Sequence, residues 1–376
     1  MLMRKMILIR LPFFLALFYL SACSSLQGSS NYAQNYDAVV NASGTNSNAF
    51  TSVQAAVDAA PADTNQRYRI LIKAGRYYEK VTINRSNMEI VGEGMGETII
   101  EFDAYASEAG HYREDNWGTP GSATVSINAE NVHITDLTIN NTFDFLANDA
   151  KAKDDPSRVS ASQAVALLLD TGSDRVSFDS VELNGYQDTL FAHGYRAYFH
   201  QSRISGNVDF IFGQGTVVFD QSTIVSRPRA KSFPDDAIQS YITAPSTNID
   251  REYGLTFLDC KLLREEGVPD NSVTLGRPWH PTTTFADGRY ADPDAIGKAV
   301  FIRTYMDAHI SPQGWSSMRG TARDGTKSRI FTPEESRFYE YQNFGPGAQV
   351  NDKRPQLSAA EAAQYTLENI FGEWRP

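Results

Sequence analysis

The chain is 376 residues long, 41% hydrophobic and 21% charged, an ordinary composition for a folded protein with a sizeable core. Its formal net charge of −11 argues against nucleic acid as a partner and, more weakly, against long-range attraction to polyanions. Two cysteines and six histidines, with no His-x-x-x-His pair, provide neither a disulfide framework nor zinc-site spacing, so no metal and no cofactor is expected.

Met1 to Ala22 carries Arg4, Lys5 and Arg10 ahead of an apolar run from Leu11 to Leu20, too short to span a bilayer comfortably. This pattern predicts an export signal over residues 1–22. Leu20-Ser21-Ala22-Cys23 resembles the lipobox of bacterial lipoproteins, which implies a lipidated Cys23 as the first mature residue and a membrane anchor. An ordinary cleavable signal is the alternative. Ser24 resembles outer-membrane sorting, and residues 23–35 read as a flexible tether before a single domain at 36–376. Loss of the signal takes the net charge to −14, by removing its three basic residues, and a lipidated Cys23 leaves Cys260 without a partner.

Val53, Ala56, Val57 and Ala60 lie at helical spacing, with Thr51 or Ser52 placed to cap and Pro61 to stop a short helix at one end of the core. Short runs rich in Val, Ile and aromatics follow at Tyr68 to Lys73, Lys80 to Asn84, Met88 to Val91, Thr98 to Phe102 and Ala123 to Ile127. Aligned apolar positions Ile90, Ile134, Phe178, Phe199 and Phe219 differ by 44, 44, 21 and 20 residues, which reads as one or two units of about 21. Phe257 follows by 38, roughly two units. This periodicity predicts an all-β solenoid, a right-handed parallel β-helix, in which each turn buries its inward residues against its neighbours. Asp103 to Gly121 and Phe143 to Ser162 interrupt the pattern as loops, either cleft walls or solvated decoration. Cys260 lies in a strand-like run and is expected to be a buried, inert thiol. Near the end, Ser358-Ala359-Ala360-Glu361 matches a capping box and predicts a helix toward Phe371 along the solenoid's outside.

Asp188 and Asp209 are 21 residues apart, so on this solenoid they occupy adjacent rungs, about 4.8 Å apart. A carboxyl pair stacked in this way can share a proton and divide the roles of nucleophile and acid/base. Gln163 and Gln187 fall on the same outer face. The spacing alone also suits polar turn ladders. Arg277-Pro278-Trp279 offers a guanidinium to hold a carboxylate and an aromatic plate for a sugar ring, or else a salt bridge beside a core tryptophan.

Five ordered segments, Gly75-Arg76-Tyr77-Tyr78-Glu79, Gln163 to Leu167, Gly185 to Leu190, Asp209 to Gly213 and Leu275 to Trp279, together resemble the pectin methylesterase (pectinesterase) family, especially its secreted bacterial members. The resemblance runs from about Tyr36 to the C-terminus. It implies that Asp209 attacks a methyl-ester carbonyl and that Asp188 protonates the departing methanol and then activates water. It further implies that Gln187 and Gln163 stabilise the oxyanion and that Arg277 orients Asp209. Sugar contacts carry over to Thr119, Val208, Phe212, Arg229, Tyr241, Trp279, Thr282 and Met318. Gln201 and Gln221 stand where many relatives have cysteines, and Lys231 to Ser240 differs in length and residues.

The implied substrate is methylated homogalacturonan or its oligomers. The protein is expected to act as a monomer at the cell envelope, lipid-anchored in the outer membrane, or else secreted or periplasmic. A β-helix glycosidase and a non-catalytic pectin-binding lipoprotein are the alternative readings.

Overall fold

Short strands separated by tight turns stack in register, because each turn presents its β-branched and aromatic residues inward and pairs with the turn on either side. The computed structural model describes residues 35–44, 49–108, 111 and 114–376. The expected signal at 1–22, the lipidation site Cys23 and tether residues 24–34 lie outside the described residues. Tyr36–Pro376 forms one compact unit, a parallel β-helix.

One 16-stranded sheet runs from Ala38–Val40 through Met88–Val91, Val176–Asn184 and Leu255–Leu258 to Arg337–Tyr341, with side branches forming a further face. A seven-stranded sheet orders Val273–Gly276, Ser240–Pro245, Val208–Gly213, Leu190–Ala192, Leu167–Leu169, Val125–Ile127 and Val81–Ile83. All strand pairs in both sheets are parallel. Two antiparallel hairpins, Thr282–Phe285 with Gly288–Ala291 and Met318–Gly320 with Arg329–Phe331, project from the helix.

The aligned apolar positions are direct neighbours. Ile90 pairs with Ile134, Ile134 with Phe178, Phe178 with Phe199, Phe199 with Phe219, and Phe219 with Phe257. Their rings stack at centroid separations of 4.3 Å for Phe178–Phe199, 5.1 Å for Phe199–Phe219 and 4.6 Å for Phe219–Phe257, and Phe301 adds a further ring at 4.3 Å. Each fully buried ring contributes roughly 1.5–3 kcal/mol by area removed from water. The intervals of 44 and 38 residues are therefore single turns, not two units of about 21 as the spacing suggested. Loops between strands absorb the surplus without adding a rung. The two interruptions account for most of the surplus in the turns of 44, and loops 227–239 and 246–254 together account for the turn of 38.

Where the chain turns from one face to the next, Asp136, Ser180, Gln201, Gln221, Asp259, Arg303 and Gln342 share a left-handed backbone, with φ between 46° and 56°. Gln201 and Gln221 are exposed members of this ladder on successive turns.

Ser52 caps the N-terminal helix Val53–Asp58, accepting from the Ala55 amide. At the other end the capping box at Ser358 and Glu361 forms, but the expected single helix is two short ones, Ala359–Ala362 and Leu367–Phe371. Thr366 leaves the helical conformation and caps the second, accepting from the Asn369 amide. Ile370 and Phe371 then cover an apolar patch made by Val218, Leu258, Val300 and Ile302 on the outside of the large sheet. Cys260 is buried, donates to the Phe219 carbonyl at 3.3 Å, and burial pushes its thiol up to about 12.

Candidate active site

The outer face of the seven-stranded sheet carries an apolar row in register, Leu168, Phe191, Phe212 and Ala244. Phe191 and Phe212 stack at 4.2 Å, and Trp279 meets both edge-on at 6.1 and 5.5 Å. Phe191, Phe212 and Ala244 of this row, with Trp279, form the floor of a cleft of about 1030 Å³. Thr119 and Pro120 from the first insertion form one wall; the hairpins carrying Thr282 and Met318 form the other.

Asp188 and Asp209 enter this cleft from adjacent turns. Leu190 pairs with Ile211, so continuing the register backwards puts the two aspartates side by side. Both have left-handed backbones, with φ of 66° and 52°. Asp209 also coincides with a β-bulge, since pairing with the next strand shifts between Val208 and Ile211. A bulge re-aims a side chain that regular pleating would direct elsewhere, and aspartate tolerates the left-handed region better than most residues.

Arg277 grips Asp209 with two parallel bonds, Nε to Oδ1 at 2.8 Å and Nη2 to Oδ2 at 2.6 Å. Its guanidinium lies 3.8 Å from the Tyr241 ring centroid. Gly276 brings the arginine this close to the neighbouring strand, because a Cβ there would sit 2.1 Å from the Thr243 hydroxyl. Burial alone would lower the guanidinium's pKa, but the Asp209 carboxylate outweighs it and holds it above its ordinary value.

Asp188 is in the opposite situation. It is 8% exposed, and burial, followed by the Asp209 charge, raises its carboxyl well above the usual carboxylate range against smaller opposing effects of Arg277 and a Gln187 hydrogen bond. The pair is thus divided electrically: one carboxylate is paired with a cation and the other is held toward its neutral form. Gln187 is oriented by Ser162, whose hydroxyl donates to Gln187 Oε1 at 3.1 Å, and the Gln187 side chain hydrogen-bonds Asp188 within the cleft. Gln163 lines the same cleft, and its Oε1 is buried without a hydrogen-bond partner among the described residues.

The cleft thus assembles Gln163, Gln187, Asp188, Asp209 and Arg277 with Thr119, Phe212, Trp279, Thr282 and Met318. Val208, Arg229 and Tyr241 are not among its lining residues. Val208 pairs with Tyr241 beside the bulge, and Tyr241 packs under Arg277. Arg229 forms a bidentate pair with Asp149 at 2.9 and 2.7 Å and donates to the Gln239 carbonyl. The charged centre of the second insertion divides accordingly: Asp149 is buried against Arg229, while Lys153 and Asp154 are exposed.

Sequence reasoning missed Phe191 and three cations of the cleft wall, Arg289, Arg319 and Lys327. All three cations are exposed and form no ion pair among the described residues, giving a positive wall to a negatively charged protein. The Ala286-Asp287 turn before Gly288 was a legible hairpin signal for Arg289.

The family model described as Pectinesterase matches residues 37–373. Pectinesterase A of Dickeya dadantii (strain 3937) is 46% identical over 347 residues, covering 92% of this chain and 93% of that protein. Among solved structures, the pectin methylesterase from Yersinia enterocolitica is 48% identical with a TM-score of 0.82, covering 87% of this chain and all of the other. A pectin methylesterase in complex with a hexasaccharide is 45% identical with a TM-score of 0.87, covering 91% and 98%.

Proposed function

Because this chain belongs to the pectinesterase family, we propose that its cleft removes methyl esters from the galacturonate units of pectin or its methylated oligomers. The observation that carries this reading is the divided carboxyl pair, with Asp209 gripped by Arg277 and Asp188 buried beside it. Asp209 attacks the ester carbonyl. Gln187 and Gln163 donate to the oxyanion that develops, a contribution of about 3 kcal/mol per donor in comparable sites. Asp188 gives its proton to the departing methoxide, so methanol leaves and an acyl anhydride links substrate to Asp209. Asp188, now ionised, takes a proton from water, which attacks the anhydride, releases the galacturonate carboxylate and restores both aspartates.

The apolar floor of Phe191, Phe212 and Trp279 suits the flat faces of sugar rings. Arg289, Arg319 and Lys327 suit a chain bearing free carboxylates, so the local field opposes the unfavourable overall charge. Thr119, Thr282 and Met318 complete the sugar-contacting walls, while Arg229, Val208 and Tyr241 act by holding neighbouring elements. Wild type should release methanol from methylated pectin without shortening the chain, and Asp209→Ala should abolish release. Chain shortening, or full release by the variant, would overturn the reading.

The lipobox-like Leu20-Ser21-Ala22-Cys23 supports a lipid anchor at Cys23, with the enzyme a monomer at the outer membrane acting on short methylated oligogalacturonides. Replacing Cys23 with serine should move the protein from the membrane fraction to the soluble fraction. An unchanged distribution would contradict the anchor.

A further inference from the structure

The first of the five sequence segments, Gly75 to Glu79, takes no part in the cleft. Glu79 instead holds the start of the N-terminal helix, accepting from the Ser52 hydroxyl at 2.7 Å, the Val53 amide at 2.7 Å and the Gln54 amide at 2.9 Å. The next residue, Lys80, points to the opposite side. Its Nζ donates to the Gly121 carbonyl at 2.8 Å and to the Ala123 carbonyl, and lies 4.7 Å from the centre of the Trp117 ring and 5.6 Å from that of Phe102. Those carbonyls close the short helical turn Gly118–Gly121, which carries Thr119 and Pro120 into the cleft.

Two further contacts brace the same turn. Ser122 donates to the Thr119 carbonyl at 2.7 Å, and Asn141 donates to the Ser122 carbonyl at 3.2 Å. Lys80 is the only charged group bonded to the turn among the described residues, and it makes no ion pair there. Glu108 is the acid that acts on it electrostatically; its carboxylate accepts from Trp117 Nε1 at 3.0 Å and faces His111 Nδ1 at 3.1 Å.

We propose that Lys80 is a positioning residue for the substrate wall: its half-buried ammonium fixes the turn bearing Thr119 and Pro120, so losing its charge weakens substrate binding while leaving the chemical step intact. This rests on the pectin-demethylating reading of the cleft. Charge-assisted bonds to carbonyls weaken when an ammonium becomes an amine. Burial, partly offset by Glu108, brings Lys80 down to about 8. A lowered lysine pKa means that the hold is present below that value and is lost as pH rises through it.

The test is steady-state methanol release from methylated pectin by the full chain, for wild type, Lys80→Met and Lys80→Arg. Release by wild type at neutral pH establishes the underlying activity independently of Lys80. Lys80→Met should raise KM about fivefold with kcat within about twofold, because both charge-assisted bonds that position the turn are lost. Between about pH 7 and about pH 9, wild-type KM should rise while that of Lys80→Arg stays level, since arginine keeps its charge. An unchanged KM in Lys80→Met, a fall confined to kcat, or the same KM rise in wild type and Lys80→Arg would overturn the proposal. If neither variant folds, a wild-type KM that stays level over that pH range overturns it alone.

Discussion

Two arginine–aspartate pairs in this molecule have nearly the same local geometry and different surroundings. Arg277–Asp209 and Arg229–Asp149 are both bidentate, with bonds of 2.6–2.9 Å. Each bridges distant parts of the chain, 68 and 80 residues apart. Asp149 also accepts from the Ala230 and Lys231 amides, so its oxygens are committed, and its side chain is 3% exposed. Asp209 faces an open cleft, with a second buried carboxyl beside it and two glutamines lining the same cleft. The difference teaches that the ion pair itself is not the reactive feature. What distinguishes Asp209 is an uncommitted approach for substrate and a neighbour able to hold a proton.

The largest effect should come from breaking the reactive pair. Asp209→Ala should lower methanol release by about 10³-fold or more, because the proposed nucleophile is gone. Its cost in stability should be small: Arg277 faces the cleft, and removing Asp209 relieves the charge pressing on Asp188.

The sealed pair should behave in the reverse way. Asp149→Asn leaves Arg229 buried without its counter-charge, so unfolding in urea should show a loss of about 3 kcal/mol. Its kcat should stay close to that of wild type. A stable Asp149→Asn with low kcat would place that pair in the chemistry and collapse the comparison.

A smaller effect concerns pH. Burial would raise the Asp149 carboxyl, but Arg229 and the backbone amides lower it below its ordinary value. Its stabilisation is therefore full above the unfolded value of about 3.9 and lost as pH falls through the lower folded value. The acid limb of the stability curve should flatten in Asp149→Asn.

Much of this architecture was legible because side-chain period and solenoid period act together. The Asp188 to Asp209 spacing equals one unadorned turn, so it gave adjacency directly. The turns of 44 and 38 residues misled, because inserted loops lengthen a turn without adding a rung and periodicity alone cannot distinguish these cases. The bulge at Asp209 was also hidden, since it depends on pairing with Ser240–Pro245 across a 13-residue loop. Arg229 illustrates a further limit: its partner Asp149 lies in an insertion, and no local pattern ties the two together. The cations Arg289, Arg319 and Lys327 lie on hairpins outside the repeat, where position follows from packing and not from period.

The central claim, that Asp188 holds the proton while Asp209 is paired with Arg277, is tested most directly by difference infrared spectroscopy of the protonated-carboxyl C=O band. At about pH 6, where an ordinary aspartate is ionised, wild type should retain such a band, and Asp188→Asn should lose it. In Asp209→Asn the band should survive, titrating at a lower pH because one of the two causes of the shift is gone. A band missing from wild type, or one that survives in Asp188→Asn and vanishes in Asp209→Asn, would contradict the assignment of the proton.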